Sequence, residues 1–153
     1  MAVVFGRVSA NNKKQDVGLE KYISAYWQVD LPVGWQADQE DDAVSLYHPD
    51  SNGILTFSAT QEQQAITDEY LEDLLIEHLD AGAELFDVEY EPFSGVTCCY
   101  DDDEEYWCEW YLRAGPVLLF ITYNCPLDDE GAEEDVIESI LESLSLPNKI
   151  NLH

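Results

Sequence analysis

Between Leu85 and Tyr123 the chain passes through four extended runs in quick succession: Leu85 to Tyr90, Val96 to Tyr100, Glu105 to Leu112 and Val117 to Tyr123. Their connections are too short for a crossover helix, so neighbouring runs must lie antiparallel. Asp101-Asp102-Asp103-Glu104 reads as the turn into the third run, and Ala114-Gly115-Pro116 as the turn into the fourth. β-branched and aromatic residues fill the runs, as a pleated sheet favours. Alternation in the third puts Tyr106, Cys108, Trp110 and Leu112 on one face and Trp107, Glu109, Tyr111 and Arg113 on the other. The Val117–Tyr123 run is apolar on both faces, which predicts a central strand.

Upstream, Ala25 to Leu31 reads as a strand with Trp27, Val29 and Leu31 on one face, stopped by Pro32-Val33-Gly34-Trp35. Gln36 to Asp42 reads as an acidic loop. Val44 to His48 and Ile54 to Ala59 form a hairpin around the turn signal Pro49-Asp50-Ser51-Asn52-Gly53. Thr67 or Asp68 caps a helix whose stripe is Tyr70, Leu71, Leu74, Leu75, His78 and Leu79, with Gly82 placed to end it. Asp128 or Asp129 caps a last helix that buries Val136, Ile137, Ile140, Leu141 and Leu144, with Pro147 after its end. At 153 residues the chain is long enough for one ordinary domain. Residues 1–21 read as a polar, partly mobile leader, 22–147 as a single α+β domain and 148–153 as a short tail.

The charge is distributed very unevenly. Of six basic residues only Arg113 lies between Tyr22 and Asn148, while that span holds 31 of the 33 acids, Asp16 and Glu20 being the two outside it. A net charge of −27 excludes a conventional nucleic-acid binder, which needs cations for phosphates. It also argues against docking on anionic membranes, and no apolar run reaches the length of a membrane span. Few internal ion pairs can form, so most carboxylates face water or a partner. With no secretory signal pattern at the N-terminus, the expected location is cytoplasmic, and Cys98, Cys99, Cys108 and Cys125 are expected to be reduced thiols.

The segment Tyr26-Trp27 with Leu31-Pro32-Val33-Gly34-Trp35, then Tyr47-His48-Pro49, Leu119-Phe120-Ile121-Thr122-Tyr123 and the final helix with Ile137, Ile140 and Leu144 resembles the PsbP-like superfamily over residues 24–146. That superfamily includes an extrinsic lumenal protein of photosystem II and a Ran-binding nuclear transport factor. The resemblance implies an α/β/α sandwich around a twisted, mainly antiparallel sheet of six to seven strands with two main helices. It implies a binding or accessory role rather than catalysis. No residues of a Ran-binding or photosystem site are matched.

No catalytic motif is visible around His48, His78 or His153, so no catalytic residue and no cofactor is expected. No metal site is expected either: Cys98-Cys99 lacks the two-residue gap of zinc ribbons, and Asp101 to Glu105 lacks the alternating ligands and sixth-position glycine of an EF-hand loop. The candidate site is a partner surface made of Asp101, Asp102, Asp103, Glu104 and Glu105 with Trp107, Glu109 and Tyr111. Carboxylates there would steer a basic protein in, and the aromatics would supply affinity. The function expected is a non-catalytic acidic binding domain, with an immunity or inhibitor protein as its concrete form. The alternative is an accessory or scaffolding domain of a larger assembly. A DNA mimic or an enzyme ranks below both, and the oligomeric state is left open.

Overall fold

The computed structural model describes residues 20–147. A hairpin of β1 (Glu20–Ile23) and β2 (Gln28–Leu31) is followed by β3 (Gln36–Glu40), β4 (Ala43–Tyr47) and β5 (Ile54–Gln61). Two short helices come next, α1 (Asp68–Leu74) and α2 (Ile76–Asp80). Then come β6 (Phe86–Tyr90), β7 (Phe93–Asp102), β8 (Glu105–Ala114) and β9 (Val117–Pro126), and finally α3 (Glu134–Glu142). Seven strands form one antiparallel sheet in the order β3-β4-β5-β9-β8-β7-β6, so β9 is central, as its apolar character predicts.

The pleat separates two faces. One register row crosses the sheet through Ala37, Leu46, Leu55, Tyr123, Cys108 and Cys99. Its face carries the main core, packed against Ile137, Ile140, Leu141 and Leu144 at and just beyond α3 and against the β1–β2 hairpin. The next row runs Asp38, Ser45, Thr56, Thr122, Glu109 and Cys98 on the opposite face. There α1 and α2 cover the β7–β8 side, burying Leu71 and Leu75. The molecule is thus the α/β/α arrangement expected, with most of its apolar burial on the α3 side.

Several local expectations are corrected. Glu20 and Lys21 belong to β1 rather than to the leader, and the rest of the leader and the tail from 148 lie outside the described residues. Gln36 to Glu40 is a strand, not a loop: Asp41 adopts a positive φ of 41° and closes a tight turn onto β4 without a glycine. As an edge strand it carries Asp38 and Glu40, which discourage pairing with another chain. The first helix is two pieces that meet at Leu75, and Tyr70, Leu74 and Leu79 of the expected stripe are exposed. Its ends are as expected. Thr67 Oγ1 accepts from Tyr70 N at 3.1 Å. Gly82, at φ +87°, completes a Schellman motif in which Ala83 N donates to His78 O at 2.9 Å and Gly82 N to Leu79 O at 3.0 Å. Asp128 and Asp129 sit in a 3-10 turn, Leu127–Asp129, and do not cap α3.

The cysteines are corrected as well. Cys99 and Cys108 face each other across β7 and β8 with Cα atoms 4.0 Å apart, and they form a disulfide; Cys98 and Cys125 are free and buried. Register, which sequence spacing alone does not reveal, brings the pair together. Closing a short loop in the unfolded chain is worth about 2 kcal/mol. Cys99→Ser/Cys108→Ser is therefore expected to lower the free energy of unfolding by that amount, measured by denaturant titration without reductant. An unchanged midpoint would show that the bond adds nothing to the hairpin.

Candidate functional site

The predicted partner residues divide between three environments. Asp101 to Glu104 are exposed at the tip of the β7–β8 hairpin, where Asp103 takes a φ of +59°. Glu105 is half-buried and accepts from Asn124 Nδ2 at 2.9 Å. Trp107 is half-buried on the face opposite α3. Glu109 is only 8 % exposed and is turned into a hydrogen-bonded cluster with the half-buried Tyr111, which turns the Glu109 carboxylate away from solvent. The reason is α2, which lies over their face and supplies His78.

More acids gather beside the tip than the sequence suggested. Leu127 N donates to Glu104 O at 3.0 Å, bringing the β9–α3 connection against the hairpin. That connection is pinned by the turn after β4: Ser51 Oγ donates to Glu133 Oε2 at 2.8 Å and Asn52 Nδ2 to Asp129 Oδ2 at 3.1 Å. Tyr123 O–H holds the other Glu133 oxygen at 2.7 Å. Asp128, Glu130 and Glu134 remain exposed. The two Lys and Arg residues among those described are engaged elsewhere, Lys21 with Asp30 at 2.6 Å and Arg113 with Asp68 at 2.5 Å.

Next to this acidic end lies a cleft of about 530 Å³ between α3 and β6–β8. Tyr106, Trp110, Tyr90 and Tyr123 line it together with the Cys99–Cys108 bond, and Glu130, Glu134 and Glu138 stand around it. Burial, and then the Glu138 carboxylate, push the Tyr90 hydroxyl from 10.0 up to about 12. Burial first, then Glu130 and Glu134, raise Tyr106. A folded value above the unfolded one means that stability is fully present below about pH 10 and is lost as pH climbs through the folded value. Tyr90 alone is expected to withdraw on the order of 2 kcal/mol between pH 10.0 and about 12. Unfolding midpoints followed across that range, alongside phenolate absorbance, check this; tyrosines that all ionise near their ordinary value in the folded protein would contradict it.

The third environment was missed in the sequence. The Glu109 carboxylate receives Tyr111 O–H at 2.9 Å on Oε1 and Tyr100 O–H on Oε2, and His78 Nε2 stands 2.9 Å from Oε1. Tyr111 O–H is also 3.5 Å from His78 Nε2. Cys98 lies directly opposite Glu109 on β7, and its sulfur, the imidazole nitrogen and a carboxylate oxygen lie within 4.8 Å of one another. Burial and then Glu109 raise both tyrosines, and burial and then the Glu109 charge raise the Cys98 thiol. A thiol held in its protonated form is a weaker nucleophile than a thiolate. The sequence signal was a lone glutamate within an aromatic strand.

Comparison with known structures agrees on the fold. The cyanobacterial PsbP (CyanoP) of Synechocystis sp. PCC 6803 superposes with a TM-score of 0.57 at 12% identity, covering 85% of this chain and 93% of that one. A Bacteroides thetaiotaomicron VPI-5482 protein superposes with a TM-score of 0.62 at 17% identity, covering 83% of this chain and 48% of that one. The chain therefore spans about half the length of the Bacteroides protein. No family model and no curated protein matches the sequence. The chain has a PsbP-like α+β fold. Among the described residues no helix is long and apolar enough to cross a membrane.

Proposed function

We propose that the protein is a non-catalytic acidic binding domain that meets a basic protein surface with the end of its sheet formed by the β7–β8 tip and the β9–α3 connection. The observation that carries this reading is the convergence of exposed carboxylates there, with no lysine or arginine of the described residues beside them, at the edge of an aromatic cleft. Carboxylates steer a basic partner into place, and a Lys or Arg side chain entering the cleft gains both cation–π contact and a carboxylate. An immunity or inhibitor protein against a basic toxin or enzyme is the concrete form. The Cys99–Cys108 bond favours an oxidising compartment over the cytoplasm. An accessory role in a larger assembly is the second reading, favoured by the PsbP-like fold.

Capture from source-cell extract at low and moderate salt, with partners identified by mass spectrometry, tests the two. A single basic partner released as salt rises supports the inhibitor form. A salt-resistant set of several proteins supports the accessory role.

A further inference from the structure

We propose that His78, Cys98 and Glu109 form a binding site for one divalent transition-metal ion of borderline softness, zinc(II) being the type. The site lies under α2 on the sheet face opposite the α3 cleft and does not depend on the partner-binding reading. Imidazole nitrogen, thiolate sulfur and carboxylate oxygen are the donor types such an ion selects. Here one of each converges from three separate elements, α2, β7 and β8, with all three donor atoms inside 4.8 Å. Bonds of about 2.0–2.3 Å to an ion between them need donor atoms some 3.3–3.8 Å apart in a tetrahedral arrangement. Small side-chain adjustments reach that spacing, the ion replacing the present 2.9 Å contact between His78 and Glu109.

Three further features are those of a held ligand set. Tyr100 and Tyr111 donate to the two oxygens of Glu109, which fixes the carboxylate as outer partners fix a metal ligand. Thr97 Oγ1 donates to the Glu109 carbonyl at 2.8 Å, and the Schellman motif closes on the His78 carbonyl, so two of the donors sit on anchored backbone. The charge also balances. Carboxylate and thiolate together carry two negative charges, and Arg113, the one arginine among the described residues, is paired with Asp68. A divalent ion with a neutral imidazole makes the site neutral; the thiol proton leaves to solvent on binding. Entry is from the α2 side, where the His78 side chain is 25% exposed against 10% for Glu109. A water completes four-coordination.

The test is titration of the chain, disulfide intact, with cobalt(II) as a spectroscopic stand-in for zinc(II), in excess magnesium to occupy the surface carboxylates. One equivalent is expected to bind and to give a thiolate-to-cobalt charge-transfer band, and zinc(II) is expected to displace it. The band should vanish in Cys98→Ser and persist in Cys125→Ser. His78→Gln, a change at a partly exposed position that tolerates a variant if Cys98→Ser fails to fold, should weaken binding at least tenfold by competition with a chromophoric chelator. Tyr100→Phe should weaken it by about 10-fold through the released carboxylate. Absence of the charge-transfer band, or cobalt binding unchanged in His78→Gln, overturns the proposal and leaves a hydrogen-bonded cluster only.

Discussion

Trp27→Ala is expected to cost about 3–5 kcal/mol of unfolding free energy, the range for deleting a fully buried indole. Trp27 is 1% exposed and is stacked between two rings, Phe57 with centroids 4.2 Å apart and Tyr22 at 5.4 Å. Through that stack the small β1–β2 sheet is fastened to β5 of the large one. The hairpin is also tied to the end of α3, by the reciprocal backbone pair between Gln28 and Ser145 at 3.0 Å in each direction and by Asp30 N donating to Ser143 Oγ at 2.8 Å. Removing the indole opens a cavity between two sheets, and neither can relax far into it. Since domains of this size hold only about 5–15 kcal/mol in total, the loss is a large share of the whole. Denaturant unfolding measures it, with Trp107→Ala as the comparison. Trp107 is half-buried on the opposite face, and its loss is expected to cost about 1 kcal/mol or less. Equal costs for the two tryptophans would contradict the placement of the core on the α3 side.

The second large effect is kinetic. Neutralising the hairpin tip as Asp101→Asn/Asp102→Asn/Asp103→Asn/Glu104→Gln removes four exposed charges without touching the core. Association with a basic partner is expected to slow by about 10-fold or more at low ionic strength, because steering acts on the encounter. Stability should hold or rise slightly, since like charges are being removed from a chain of net charge −27. Stopped-flow association and thermal unfolding on the same variant read the two quantities separately. An unchanged association rate would move the contact surface away from the tip.

How much of this was legible in the sequence depends on one turn. Reading Asp101-Asp102-Asp103-Glu104 as a four-residue loop sets Cys99 against Tyr106 and Cys98 against Trp107. In the structure only Asp103 and Glu104 form the turn, and Asp102 pairs with Glu105. Counting back from there puts Cys99 opposite Cys108 and Cys98 opposite Glu109, so both the disulfide and half of the buried cluster follow from the register. Aspartate at a positive φ closes such a turn without the glycine that normally advertises it. The same substitution of aspartate for glycine at Asp41 hid β3. Strong periodicities were readable: the Trp27, Val29, Leu31 face, the central β9, and the α3 stripe all form the core as expected.

The assignment of faces was readable and their coverage was not. Alternation correctly separates Tyr106, Cys108 and Trp110 from Trp107, Glu109 and Tyr111. Nothing in β8 itself says that His78, from a helix some thirty residues earlier, lies over the second set. That contact depends on where α2 docks, a tertiary fact. The acidic cleft behaves alike: its tyrosines come from β6, β8 and β9 and its glutamates from the connection into α3, on and around α3. Each group looks ordinary alone.

The most direct test of the binding account is the association rate constant with the captured partner as a function of ionic strength, for the native protein and the neutralised tip together. The native rate is expected to fall by about 10-fold or more from low salt to well above physiological ionic strength, and the variant to start low and change little. A native rate that is flat with salt, or a variant that follows the native curve, would contradict the claim that this acidic end is the surface that meets the partner.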